Sequence, residues 1–289
     1  MSAITLDGEA VAKRVRDDLK AKVAGLVARE VTPGLGTILV GDDGPSARYV
    51  AMKHADCEAT GIASFHEHLG ADVTMDDLRG VVERFNANPE IDAFLVQLPI
   101  PKHLDEEKVL LAVDPDKDVD GLHPVNLGRL VMGANGPLPC TPAGIVELLE
   151  AYDVPVEGRH VVVIGRGLTI GRPLALLMAM KRPRCNAAVT VVHTGVPDLA
   201  RYVADADVVV AAAGSAGLVK RSMVKPGAAV VAAGVSWDGK RVLSDVEDDV
   251  AEVAGWLSPR IGGVGPMTRA MLLVNAVRAA ERRAVSLGR

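Results

Sequence analysis

Apolar positions in the first hundred residues switch between two periods. Val11, Val15, Leu19, Val23 and Leu26 recur every three or four residues, the stripe of an amphipathic helix. After Pro33-Gly34 the mostly apolar run Leu35 to Val40 reads as a strand. The turn Gly41-Asp-Asp-Gly-Pro-Ser46 then leads into a helix from Ala47 to Thr60, with Ser46 as its N-cap and Gly61 as its stop. Ile62 to His68 reads as a strand, Met75 to Asn86 as a helix and Ala93 to Val96 as another strand. Such alternation predicts βαβ units around a parallel sheet.

From Gln97 to Pro142 the periodicity lapses and prolines and glycines punctuate the chain, which predicts a long irregular stretch with a functional or linking role. Thr141-Pro142 then opens a helix to about Tyr152, Thr at the cap and Pro at the first position, and a domain boundary is expected there. The next unit begins with Val161-Val-Val-Ile164, a buried strand, running into Gly165, Gly167 and Gly171 and then a helix from Leu174 to Met180. Further strands follow at Ala188–Val192, Val208–Ala212 and Ala229–Ala233, predicting a Rossmann-like, doubly wound parallel sheet. A last helix carries the stripe Met267, Met271, Val274 and Val277. The fold class is therefore α/β, two α/β domains flanking a cleft.

A strand that turns on glycines into a helix N-terminus points backbone N–H groups and a helix dipole outward, which suits a phosphate. The spacing G-x-G-x-x-x-G is one residue longer than the usual dinucleotide fingerprint and fits a ligand-free tight turn equally well. Glycine at three strand ends, Gly165, Gly214 and Gly234, favours the dinucleotide. The second strand ends Val192-His193-Thr194 without the carboxylate that holds an unphosphorylated ribose, and Arg166 and Arg172 flank the turn. Missing acid and nearby guanidinium point to a 2′-phosphate, hence NADP.

Chemistry on the other side rests on Tyr49 and Lys53, four apart on one helix. A lysine facing an apolar cleft can lose its proton readily enough for acid/base work; a snorkelling surface lysine is the alternative. Asp116-Lys-Asp118-Val-Asp120-Gly121 imitates a calcium loop, but Leu127 stands where the bidentate Glu belongs. A carboxylate on that turn is better suited to gripping a cyclic amidine or guanidine. His123 is a candidate base or a structural residue, and His66 and His68 lack further ligands, so no metal is expected.

The 289 residues are 49% apolar, 24% charged and 3% aromatic with a net charge of -5 and no basic cluster, which argues against nucleic acid or an anionic membrane as partner. No charged-then-apolar leader begins at Met1, and Cys57, Cys140 and Cys185 read as free thiols, so a cytoplasmic protein is expected.

Several motifs occur together in one order: Pro45-Ser-Ala-Arg-Tyr49-Val-Ala-Met-Lys53, Gln97-Leu-Pro-Ile-Pro101, Asp116-Lys-Asp-Val-Asp120-Gly-Leu-His-Pro124, Pro139-Cys-Thr-Pro142, the glycine turn, and Gly262-Gly-Val-Gly-Pro-Met-Thr268. Over nearly its full length the chain resembles the bifunctional methylenetetrahydrofolate dehydrogenase/methenyltetrahydrofolate cyclohydrolase family. The resemblance implies a folate-binding catalytic domain over 1–140, an NADP-binding domain over 141–265, and a C-terminal helix over 266–289 returning to the first domain. It implies NADP-dependent oxidation of methylenetetrahydrofolate and hydrolysis of the product to formyltetrahydrofolate, by a homodimer. Lys53 would be the general acid/base, Gln97 its orienter, Tyr49 a stacking partner of the folate, and Asp120 the grip on the pterin edge. Gly165, Arg166, Gly167, Thr194 and Val235 would contact NADP. Three positions depart from the family pattern: Gly167 for a frequent Ser, Ala55 for a basic residue, and Ile261 for a Pro. Alternatives are an amino-acid dehydrogenase of similar layout and a non-catalytic NADP-binding sensor.

Overall fold

The computed structural model describes residues 3–239 and 241–289. Met1, where no leader is expected to begin, lies outside the described residues, as do Ser2 and Lys240. Strand β1 (Ile4–Thr5) precedes α1 (Gly8–Val27), β2 (Gly34–Val40), α2 (Gly44–Thr60) and β3 (Ala63–Leu69). Next come α3 (Met75–Ala87), β4 (Ala93–Val96), α4 (Glu106–Ala112), α5 (Pro124–Met132) and α6 (Cys140–Ala151). The remaining elements begin with β5 (His160–Ile164), α7 (Gly171–Ala179), β6 (Ala188–Val192), α8 (Ala200–Val203), β7 (Val208–Ala211) and β8 (Ala229–Ala232). A hairpin of β9 (Val235–Asp238) and β10 (Arg241–Ser244), then β11 (Trp256–Leu257) and α9 (Val264–Ser286), complete the chain.

The chain divides into two compact units. One comprises the residues up to Ala12 with Thr141–Thr268; the other comprises Lys13–Cys140 with Arg269–Arg289. The latter is built on a three-stranded parallel sheet in the order β3-β2-β4. Central β2 is buried along its whole length because it is covered on both faces. Ile38, Leu78, Val81, Val82, Phe85 and Phe94 form its core, with the Phe85 and Phe94 rings edge to face at 5.5 Å.

The other unit carries a six-stranded sheet in the order β1-β11-β8-β7-β5-β6, parallel throughout. Valine-rich β5 and β7 are almost wholly buried at its centre. From β5 the chain goes first to β6 on one side and then to β7 on the other. The strand order therefore reverses at β5, which makes the carboxyl end of that strand the place for a ligand.

Local expectations differ from the structure at four places. The cap of α2 is Asp43, whose carboxylate accepts the Ser46 N–H at 2.9 Å, and the helix already starts at Gly44. The stretch 97–142 is not irregular throughout but carries α4 and α5. Helix α6 starts at Cys140, so Thr141 lies inside its first turn and its hydroxyl bonds that of Thr268 at 3.0 Å. Helix α7 starts at Gly171, one turn before Leu174. Strands β1 and β11, of two residues each, have no counterpart in the sequence reading, and neither does the β9–β10 hairpin, whose four-residue strands mix polar and apolar residues.

Candidate functional site

Helix α2 has a buried stripe of Val50, Lys53, Cys57 and Thr60 at helical spacing, and Lys53 holds a place where an apolar residue would ordinarily sit. Only 9% of it is exposed. The Lys53 Nζ donates to Gln97 Oε1 at 2.9 Å. Gln97 leaves the carboxyl end of β4 with its N–H bonded to Ile38 C=O at 2.8 Å. Its side-chain NH2 donates to the carbonyl of Leu98 at 2.7 Å, which turns the amide oxygen toward the lysine. Burial lowers the Lys53 pKa from the ordinary 10.5, and the charge of Asp120 pulls the other way. Burial raises the Asp120 carboxyl, with Lys53 opposing and Asp118 adding to the rise. Each group's charge thus offsets part of the desolvation that disfavours charge on the other, a setting in which a proton moves readily.

Asp120 sits on a loop that pairs with β4. Phe94 N–H donates to Lys117 C=O at 2.8 Å and Val119 N–H to Phe94 C=O at 3.3 Å. Asp118 is buried and shapes this loop: its carboxylate accepts from the N–H groups of Gly121 and His123 and from Asn126 Nδ2. His123 is the N-cap of α5, its Nδ1 accepting from Val125 N–H at 3.1 Å, a structural contact. Tyr49 lies one turn before Lys53 on α2 and is half exposed. The structure thus brings Lys53, Gln97 and Asp120 together and leaves Tyr49 at the rim. His66 bonds Thr37 and His68 bonds the Gly41 carbonyl, and among the described residues no group of three His, Cys, Asp or Glu is arranged to hold a metal ion. Among them, too, no helix is long and apolar enough to cross a membrane.

In the other unit, β5 ends at Gly165 with φ 125°, a conformation suited to glycine. A Cβ there would lie 2.1 Å from the Ala212 carbonyl oxygen, and one on Gly171 would lie 2.2 Å from that of Gly165. These two glycines let the turn close tightly against β7. Gly167 is different, since a Cβ on it would meet nothing within 4 Å. Arg166, Gly167 and Arg172 are exposed around the turn, and Thr194 is exposed two residues past β6. Val235, at the start of β9, is 46% exposed.

Two residues that shape these sites were not singled out in the sequence reading. Asp245 is fully buried, and its carboxylate accepts from the N–H groups of Ala213 at 2.7 Å, Gly214 at 2.9 Å and Ser215 at 2.7 Å. It holds the loop that follows β7. A Cβ on Gly234 would lie 2.0 Å from its oxygen, so that glycine makes room for the carboxylate. Asn275 is the other, a lone amide inside an apolar stretch of α9; that isolation was the available clue.

A parallel sheet with a glycine turn at its point of reversal in one unit, and in the other a lysine buried against an amide and a carboxylate, define a nucleotide-dependent α/β enzyme with proton-transfer chemistry. Two family models narrow that class. Tetrahydrofolate dehydrogenase/cyclohydrolase, catalytic domain, matches residues 6–120, and tetrahydrofolate dehydrogenase/cyclohydrolase, NAD(P)-binding domain, matches residues 139–284. The bifunctional protein FolD of Syntrophotalea carbinolica is 54% identical over 289 residues, all of either chain. The bifunctional FolD crystal structure from Campylobacter jejuni is 37% identical with a TM-score of 0.93, covering 98% of this chain and 100% of that one. A Trypanosoma brucei methylenetetrahydrofolate dehydrogenase-cyclohydrolase, solved with NADP cofactor and inhibitor, is 39% identical with a TM-score of 0.92, covering 98% and 99%. The chain belongs to the tetrahydrofolate dehydrogenase/cyclohydrolase family.

Proposed function

We propose that this protein oxidises 5,10-methylenetetrahydrofolate to 5,10-methenyltetrahydrofolate with NADP and then hydrolyses the product to 10-formyltetrahydrofolate. The observation that carries the proposal is the buried Lys53 bonded to Gln97 and facing the charge of Asp120. The residues around the β5 turn suit NADP: glycines give a close backbone approach, α7 presents its N-terminus, Arg166 and Arg172 supply cations, and no carboxylate ends β6. Gly165, Arg166, Gly167, Thr194 and Val235 would hold the cofactor, which when bound accepts a hydride from the substrate.

Hydrolysis needs a proton shuttle, and Lys53 supplies it. In neutral form it takes a proton from the water that attacks the methenyl carbon. As that carbon's bond to N5 breaks, Lys53 returns the proton to N5, and the remaining hydroxyl proton leaves to solvent. Gln97 holds the amine in line for both transfers. Asp120 grips the amino-pyrimidinone edge of the pterin through paired hydrogen bonds, and Tyr49 stacks on the folate. Support for a homodimer comes from the family resemblance and from β6, a terminal strand whose Val191 is 44% exposed; the cytoplasmic location rests on the free thiols Cys57, Cys140 and Cys185. A monomer in sedimentation equilibrium would remove the dimer.

One assay tests the activity: methylenetetrahydrofolate is supplied with NADP, then with NAD, and methenyl and formyl products are followed. Both products are expected with NADP. Lys53→Gln should lose formyl production by at least a hundredfold, in the range that general acid/base groups supply, with NADP affinity retained. Normal hydrolysis in that variant would overturn the role of Lys53.

A further inference from the structure

Beyond the residues assigned above, α9 sends one buried polar side chain into the Asp120 loop. Asn275 is 5% exposed. Its Nδ2 donates to Val119 C=O at 2.9 Å and to Leu138 C=O at 2.8 Å, and lies 3.5 Å from the Cys140 thiol. Because a single nitrogen meets two carbonyls, that atom is the NH2 and the orientation of the amide is settled. Val119 directly precedes Asp120. The Asp120 carbonyl in turn accepts the Cys140 N–H at 3.2 Å, and Gly121 N–H bonds the Asp118 carboxylate at 3.1 Å. Gly121, with φ 71°, packs so closely that a Cβ would lie 2.5 Å from Leu138 C. The two strands of chain that Asn275 joins, 119–121 and 138–140, therefore touch at Asp120 itself.

We propose that Asn275 is a positioning residue for the folate site, its amide clamping Val119 to Leu138 so that the Asp120 carboxylate keeps its place beside Lys53. The proposal rests on the reading of Asp120 as the grip on the pterin. Without the clamp, the part-buried Leu138 carbonyl loses its Asn275 donor and the buried Val119 carbonyl keeps only the weak Cys140 thiol donor at 3.2 Å, so the loop relaxes to find others. The carboxylate then moves relative to both substrate and lysine. Groups acting on Lys53 are Asp120 and the Cys140 and Cys57 thiols, of which Asp120 is the largest charge effect. A displaced Asp120 holds the lysine proton less well, so the lysine titrates at lower pH.

The test uses the full chain with Asn275→Ala and measures three quantities. KM for methenyltetrahydrofolate should rise about tenfold, which is about 1.4 kcal/mol. The pKa in the pH profile of hydrolysis should move to lower pH, and the NADP dissociation constant should stay within about twofold, because that site lies in the other unit. A folded variant with unchanged KM and an unchanged pH profile overturns the proposal, as does an equal loss of folate and NADP affinity, which marks general loosening. Where Asn275→Ala fails to fold, Asn275→Ser is read instead; its hydroxyl can donate to one carbonyl, and an intermediate rise of about threefold in KM is expected, no change again overturning the proposal. Asp120→Asn separates the two levels. If it raises the folate KM while Asn275→Ala does not, the clamp falls and the proposed function stands. If Asp120→Asn itself leaves the KM unchanged, the pterin grip falls first.

Discussion

At Lys53 the buried face of α2 carries an ammonium group between Val50 and Cys57, and catalysis and stability make opposite demands on it. Its native pKa lies below the ordinary 10.5 because burial disfavours the charged form. Below the native value both folded and unfolded chains bind the proton, and the cost of burial is fully felt. Between that value and 10.5 the unfolded chain binds more protons, so stability rises with pH. Lys53→Met is therefore expected to be more stable than the parent in urea at pH 7, with the gap closing as pH approaches 10.5. The glycines of the β5 turn make a second contrast. Gly165→Ala, strained at φ 125° and 2.1 Å from Ala212 O, should cost more than about 2 kcal/mol and weaken NADP binding at least tenfold. Gly167→Ala should change stability by less than about 0.5 kcal/mol, since its Cβ meets nothing. Urea denaturation and NADP titration of both variants check the pair. The sequence pattern marked all three glycines alike; close backbone approach separates them, Gly165 meeting Ala212 just past β7 and Gly171 meeting Gly165 itself.

Among elements, α9 does more than its apolar stripe announces. Of the expected stripe, Met267, Met271 and Val277 are buried and Val274 is half-buried, while Leu272 and Ala276 are buried beside them. The helix also carries Asn275 into the Asp120 loop, and Arg283 to Asp92 at 2.6 Å. Asp92, whose side chain is 1% exposed, additionally accepts the Gly34 N–H at 2.8 Å at the start of β2. Arg283→Ala leaves that carboxylate buried without its cation and should destabilise by about 3 kcal/mol, read from equilibrium unfolding. Arg269 on the same helix pairs with Asp56 at 3.1 Å, one turn beyond Lys53 on α2. The elements around Lys53 were legible because α1 has a long helical period, the turn at 41–46 and Gly61 mark the ends of α2, and β4 is a continuous apolar run. Helices α4 and α5 were missed because prolines and glycines surround them and each is short, so their ends dominate the local pattern.

Over the whole molecule, burial decides the behaviour of the thiols. It pushes the Cys57 thiol up to about 12, raises Cys140 well above its ordinary range and raises Cys185. With these shifts the thiolate is scarce at pH 8, so a disulfide reagent should label the native protein at least a hundredfold more slowly than the urea-unfolded chain. Fast labelling of one thiol in the native state would contradict the burial of that cysteine. The six-stranded sheet shows the same dependence on distant chain. Its outer strand β1 pairs Ile4 with Trp256, residues that no local window contains together. Local periodicity and turn chemistry by themselves determined the parallel α/β units and the glycine turn, and the order of short motifs carried the resemblance that marks Lys53, Gln97 and Asp120. These are readable because each arises from residues within a turn or a strand of one another. Tertiary structure alone decided that Lys53 is desolvated and bonded to Gln97, that Asp245 holds the loop after β7, and that Asn275 holds the Asp120 backbone. Each of those depends on side chains brought together across long stretches of sequence, where burial and hydrogen-bond geometry act and no local pattern records them.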